Sequence, residues 1–427
     1  MRKIIVLSIV CVCCLSTFAQ ELKNLDDCYE YALKTNLEIK DKEFDYKLSD
    51  LEFKNEKRQF LPSIYINNIN GISHTHQPIS EDKNDSHYIY GNASINVSMP
   101  LWSASVQRIN IKNKQLINSY NLHSLHVKEL EVKIEITAKY FSYLIANEGY
   151  NIAKIDVVKQ EKIEEQSKKL FAIGKISTKD MNDAKINLLQ AKESLLEMKN
   201  IADKAKLELA NYLAIDTTHI SFSSDFFVDE NQSDDFIAIA INRNSQIKAQ
   251  ETIVEYSKNE IKSSRRNLLP SITLNYEAST AVQYHKGIDN IKFEKQKYDN
   301  FQNNLYLSIQ IPIFDRLSAV SAIKEKKIKV EKEINNLEQN KLSLKNELTL
   351  LYQNVCQLFN EYKQKSETLT LLEQQYDFAE KCYLLGQMTS YELNTYRDQL
   401  NSSKVKLAQS KYEILYKQKL IEIYTKE

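Results

Sequence analysis

Three histidines, His74, His76 and His87, lie close enough in sequence to ligate a metal ion together. No acidic or cysteine set with ligand spacing sits beside them, so no metal is assigned. The six cysteines are Cys11, Cys13, Cys14, Cys28, Cys356 and Cys382. They are scattered, without the paired spacing of a zinc site. The six glycines are too dispersed to make a phosphate-cradling loop. No context brings a nucleophile and a base together, so neither a catalytic residue nor a cofactor is expected. The chain has 57 basic and 57 acidic side chains, and this balance argues against nucleic acid as a main partner.

The elements that would position any site come next. Arg2 and Lys3 precede an apolar run from Ile4 to Leu15 that is too short to span a bilayer. Thr17-Phe18-Ala19 has the small-residue pattern of a signal-peptidase site. Residues 1–19 therefore read as a signal peptide, with Gln20 as the mature start. Three cysteines leave with it, and an odd number of thiols in an oxidising compartment is not a disulfide framework. Val12-Cys13 is a poor lead-in for lipidation at Cys14. No later apolar stretch approaches the roughly 18 residues of a transmembrane helix. A secreted chain of this kind can enter a membrane only as a closed barrel.

The sequence is written twice. Shifted by 208, residues 26–67 fall on 234–275 with 16 identities in 42 positions. The pairs include Asp26/Asp234, Asp27/Asp235, Ala32/Ala240, Asn36/Asn244, Arg58/Arg266, Leu61/Leu269, Pro62/Pro270 and Ser63/Ser271. The shift then becomes 212, placing Pro100 on Pro312 and Gly174 on Gly386. The four extra residues lie between Pro270 and Pro312, where an exposed hairpin loop would tolerate them.

All five prolines fall in two windows, Pro62 to Pro100 and Pro270 to Pro312. Proline costs about 3 kcal/mol inside a helix, so the long proline-free stretches are free to be helical. Apolar residues there recur at three and four, as in Ile134, Ala138, Phe141 and Ile145. Inside the windows the period becomes two. Ile89, Ala93, Ile95, Val97 and Met99 alternate with Asn92, Ser94, Asn96 and Ser98. Leu305, Leu307 and Ile309 alternate with Tyr306, Ser308 and Gln310.

The first repeat, 20–214, is expected to hold a helix at about 26–60, strands at about 63–73 and 88–100, a long helix at about 102–171, a tip at 172–178 and a helix at about 179–213. A polar linker at 215–233 would follow. The second repeat, 234–427, is expected to hold a helix, strands at about 271–281 and 303–313, a long helix at about 315–385, a tip at 386–389 and a helix at about 390–424. At ~1.5 Å per residue each long helix would measure about 105 Å. Strands add about 34 Å, for a reach of roughly 140 Å. Four strands cannot close a barrel, so several chains must share one. The fold class is mainly α with membrane β.

The doubled Asp-Asp…Ala…Asn…Leu-Pro-Ser segment resembles the TolC-type outer-membrane efflux proteins. So does the doubled tip, FAIGKISTKDMNDAK from Phe171 and YLLGQMTSYELNTYR from Tyr383. The resemblance covers essentially the whole mature chain. It implies a homotrimer with a 12-stranded outer-membrane β-barrel over a periplasmic α-barrel. It implies a periplasmic adaptor docking at the tips: Gly174, Lys175, Ile176 and Ser177, with Gly386, Gln387, Met388 and Thr389. It also implies an inner-membrane transporter of the RND, ABC or MFS type, outer-membrane lipid as surroundings, and passive conduction.

The family pattern at the second tip has Tyr three before the Gly, a base two after it, and acids six and nine after it. Tyr383 and Glu392 match, whereas Met388 and Thr395 replace the base and the second acid. In the first copy, Asp180 and Asp183 stand six and nine after Gly174. Asp180, Asp183, Tyr383 and Glu392 are thus the pore or gate candidates, and ordinary solvated helix charges are the alternative. Trp102, Tyr88, Tyr90 and Tyr306 are candidates for an interfacial aromatic belt, with a plain packing role as the alternative. The rival to a channel is a secreted coiled-coil scaffold or adhesion protein. A barrel protein should resist a carbonate wash of membranes and leave only in detergent; release by the wash favours the scaffold.

Overall fold

The computed structural model describes residues 22–75, 86–102, 104–219, 236–285, 296–297 and 299–426. The signal segment, His76 and the linker from residue 220 to 235 lie outside them. The order of elements is α1 (Leu25–Thr35), α2 (Leu37–Arg58), β1 (Ser63–Thr75), β2 (Ser86–Pro100), α3 (Ala104–Ala172) and α4 (Thr178–Leu213). After a 3₁₀ turn at Thr217–His219 come α5 (Phe236–Arg243), α6 (Ser245–Arg266), β3 (Ser271–His285), β4 (Gln302–Gln310), α7 (Ser318–Leu384) and α8 (Ser390–Lys426).

The helix expected at 26–60 is two helices. Asn36 breaks it with an extended backbone (φ −62°, ψ 127°). Its side-chain oxygen accepts from the N–H groups of Glu38 (2.9 Å) and Ile39 (3.2 Å), so it caps the start of α2. Its own N–H donates to the Ala32 carbonyl, closing α1. Asn244 donates to Ala240 in the same way between α5 and α6. The repeated asparagine is thus a helix break. The second long helix starts three residues later than expected. Arg316 (φ 60°) and Leu317 (φ 63°) are left-handed, and Asp315 Oδ2 accepts from the Ala319 N–H at 2.7 Å.

The chain divides into two compact units. One spans Asp41–Leu125 and Ser245–Lys341 and carries the sheet. Its strands are antiparallel in the order β1-β2-β3-β4. The register turns four alternating sequences into one sided surface. Ile66 faces Ile95 and then Ala278; Ile64 faces Val97, then Tyr276 and Leu305; Met99 faces Leu274 and then Leu307. The opposite face runs Tyr65, Asn96, Glu277 and Asn304, and beside it Ser63, Ser98, Asn275 and Tyr306. A one-residue slip in any pair would mix the two faces. The apolar face stands open, with Ile64, Ile66 and Leu305 each at least two-thirds exposed. Tyr90 and Tyr306 lie on the polar face, opposite the apolar row. The side chain of Tyr88 lies outside the described part.

The helices of this unit are tied mainly by polar contacts. Glu260 on α6 accepts from Asn113 Nδ2 of α3 (2.8 Å) and from Lys326 Nζ of α7 (3.0 Å). Ser49 donates to Asn118 Oδ1 (2.8 Å), joining α2 to α3.

The other unit takes the remaining described residues. Its core includes Cys28, Ile39, Ile136, Tyr140, Leu209 and Ile414. Tyr29 Oη and Thr137 Oγ1 meet at 2.6 Å inside it. Burial pushes the Cys28 thiol up to about 12, so it is an inert packing group.

The sidedness of the sheet is testable. Ile95→Arg places a charge on the apolar face and is expected to destabilise the inserted protein by about 2–4 kcal/mol. Ser94→Arg, on the polar face, should cost far less. Denaturant unfolding in lipid vesicles measures both; equal costs would contradict the assignment of faces.

Candidate functional site: the paired helix tips

Each tip is a helix end, a glycine and a capped helix start. At the first, the Gly174 N–H donates to Phe171 and the Lys175 N–H to Leu170, both at 2.9 Å. At the second, the Gly386 N–H donates to Tyr383 and the Gln387 N–H to Cys382, again at 2.9 Å. This is the Schellman pattern, which needs a left-handed residue just past the helix. Gly174 (φ 75°) and Gly386 (φ 76°) supply it without a Cβ penalty. The two turns adjoin, since a Cβ on Gly386 would stand 3.5 Å from the Lys175 carbonyl oxygen.

The acids six residues after each glycine have a local task. Ser177 Oγ accepts from the Asp180 N–H (3.1 Å), and the Asp180 carboxylate accepts from the Ser177 hydroxyl (2.7 Å) and N–H (3.3 Å). Thr389 and Glu392 repeat this: the carboxylate accepts the Thr389 N–H and hydroxyl at 2.9 Å each, and Glu392 donates back at 3.3 Å. Both are capping boxes. The Thr389 N–H, then its hydroxyl, hold the Glu392 carboxyl below its ordinary 4.5.

Tyr383 is fully enclosed within the protomer and presents no surface. It sits in a cluster with Ile163, Tyr376, Ala379, Leu393 and Leu400. Its hydroxyl meets Ser167 Oγ at 2.6 Å. Burial raises its pKa, and the nearby charges of Asp180 and Asp183 push the same way, so it stays a neutral donor. Asp180 and Asp183 are half-buried, whereas Glu392 is exposed. Three of the four gate candidates therefore share one neighbourhood, and Glu392 heads the adjacent helix.

Met388, where the family carries a base, packs against that apolar cluster. Thr395 returns its hydroxyl to the Tyr391 carbonyl at 3.2 Å. Both replaced latch positions are thus satisfied locally. Lys175, Ser177, Gly386, Gln387 and Thr389 are exposed, and Ile176 is half-buried. Ile173, Leu385 and Tyr391 add apolar surface beside them.

Arg397 is the residue that sequence reasoning missed. It is only 7% exposed, donates to Asp398 Oδ1 (3.1 and 2.8 Å), and keeps a buried Nη1 without a partner. A signal existed: Leu393, Arg397 and Leu400 share one helical stripe, so a charge stands at a core position.

Among the described residues no group of His, Cys, Asp and Glu could hold a metal. His74 and His87 are Cα partners across β1 and β2, and His76 lies outside the described residues.

Thr389→Ala is expected to cost about 1 kcal/mol of local stability, and Gly174→Ala a similar ~1 kcal/mol through its left-handed backbone. Amide exchange at the two tips measures both. Glu392 has a depressed pKa when folded, so its cap is fully formed above 4.5 and is lost as pH falls through the lowered value. Protection of residues 389–393, taken relative to the intrinsic exchange rate at each pH, should fall in that acid range, and pH-independent protection would contradict the capping box.

Comparison with known proteins bears on the fold as a whole. Residues 236–425 match the family model of the outer membrane efflux proteins. No curated protein matches the sequence. The fold is that of solved outer-membrane channels. The CusC structure aligns with TM-score 0.78 at 14% identity, over 96% of this chain and 92% of that one. The outer membrane protein VceC of Vibrio cholerae aligns with 0.76 at 14%, over 94% and 96%. The CmeC outer membrane channel of Campylobacter jejuni aligns with 0.78 at 16%, over 94% and 85%. The matched segment is the second repeat, and the first carries the same elements in the same order. The second repeat therefore matches the outer membrane efflux protein family, and the chain as a whole has the fold of solved outer-membrane channels.

Proposed function

We propose that this chain is the exit duct of a tripartite efflux or type I secretion system. Three copies would pool their strands into one 12-stranded barrel and conduct substrate passively. A periplasmic adaptor would dock at the paired tips, and an inner-membrane transporter of the RND, ABC or MFS type would supply the energy. One observation carries this reading: a four-stranded sheet has a continuous apolar face and two edge strands, β1 and β4, which have no further strand partner among the described residues. In hydrocarbon each unpaired backbone group costs several kcal/mol, so β1 of one copy must meet β4 of the next.

The helices support the same assembly. Phe44, Leu48 and Leu51 form an exposed apolar stripe on α2 at helical spacing. Such a stripe suits a neighbouring copy in a ring. Exposed Ile173 and Leu385 at equivalent places in the two tips offer an adaptor a repeated apolar contact.

Two measurements test the proposal. The detergent-purified protein is expected to have the mass of three copies and to conduct ions in planar bilayers; a non-conducting monomer would overturn it. Asp180 and Glu392, with Asp183, are proposed to face the lumen and favour cations. Asp180→Asn with Glu392→Gln removes both charges and keeps oxygen acceptors for the caps. Cation selectivity should fall in this variant. Unchanged selectivity removes these acids from the pore without disturbing the channel reading.

A further inference from the structure

Where the strands give way to helices, α3 and α6 enclose a cavity of about 480 Å³. It lies just past Pro100, the last residue of β2, and beside the start of β3. Four cations line it: Arg108 and Lys112 from α3, and Lys262 and Arg266 from α6. No carboxylate does. Lys112 pairs with Glu255 at 2.6 Å, and Lys262 donates to Asn259 Oδ1 at 3.2 Å. Arg108 and Arg266 have no ion-pair partner among the described residues, and both are exposed.

Two further features point to a ligand. Asn259 lines the cavity at 3% exposure, and its Nδ2 is buried with no acceptor. A buried donor without a partner costs free energy that an acceptor oxygen would recover. Trp102, more than half exposed, and Leu101 form the apolar side of the same cavity. Leu101 directly follows the end of β2, and its N–H donates to the Ile272 carbonyl of β3 at 2.8 Å. The cavity therefore has an acyl-compatible wall, two free guanidinium groups and an unsatisfied amide.

We propose that this cavity binds the phosphate of an anionic phospholipid headgroup from the periplasmic leaflet. Arginine matches phosphate oxygens in a planar, bidentate way, and basic pockets at membrane boundaries take anionic headgroups. The Asn259 amide donates to a further headgroup oxygen, and the acyl chains run along Trp102 towards the apolar face. The proposal rests on the strands lying in the bilayer.

Trp102 is the one tryptophan of the chain, so its emission reports this place alone. The full-length protein in mixed micelles is titrated with bromine-labelled phosphatidylglycerol or bromine-labelled phosphatidylcholine, which quench nearby indole. Phosphatidylglycerol is expected to quench at about tenfold lower mole fraction. Arg108→Gln with Arg266→Gln should abolish that preference, and Arg108→Lys with Arg266→Lys should keep most of it. Equal quenching by the two lipids, or an undiminished preference in the glutamine variant, overturns the proposal. Relief of quenching by glycerol phosphate assigns the cavity to a soluble phosphate and overturns the lipid source. Absence of quenching by either lipid contradicts the placement of the strands in the membrane, a failure distinct from loss of headgroup preference.

Discussion

Hydrocarbon offers no hydrogen bonds, and the rest of this architecture follows from that. A backbone group left unpaired in lipid costs several kcal/mol, so a strand there needs a neighbour on both sides. The four strands satisfy one another internally in sequence order, but β1 and β4 end the sheet. The described strands form one sided, four-stranded sheet. Its apolar row, from Ile66 through Ile95 to Ala278, has no internal core to cover it. Assembly in a ring is thus the proposed route by which this sheet becomes stable.

The helices obey a different economy because they stand in water. The sheet unit holds its helices together by polar ties such as Glu260 to Asn113 and Lys326, with few large buried apolar groups. The other unit has the denser core, around Ile136, Tyr140, Leu209 and Ile414. Apolar side chains outside these cores, Phe44, Leu48 and Leu51 among them, remain exposed in the single chain. In the proposed ring, stability within one chain comes from short-range pairing and stability of the wall from contacts between chains.

The tips show how a functional element can rest on local chemistry. Gly174 and Gly386 reverse the chain by the same left-handed turn, and Ser177–Asp180 and Thr389–Glu392 restart it by the same capping box. The first-tip acids also lie near the buried Tyr383, whose hydroxyl is held by Ser167. Met388 packs inward where the family has a base. Any latch at this end therefore has to use groups other than that base.

Much of this was legible from residues alone, because the deciding forces act over short stretches of chain. The restriction of proline to two windows marked the strands, since proline is excluded from helix interiors. The repeated Gly174 and Gly386 marked the reversals, since only glycine takes the left-handed turn cheaply. The alternation of Ile95, Val97 and Met99 with Asn96 and Ser98 marked a sided strand, since strand side chains point alternately. Three things waited for tertiary structure. Asn36 as a helix break depends on a backbone angle that its residue type permits without dictating. The assembly of Tyr65, Asn96, Glu277 and Asn304 into one polar row depends on register, a relation between strands distant in sequence. The burial of Arg397, and the meeting of Arg108 with Arg266 around Asn259, depend on which helices pack together. Local propensity fixes what each segment is; only long-range packing decides which side chains it shares a space with.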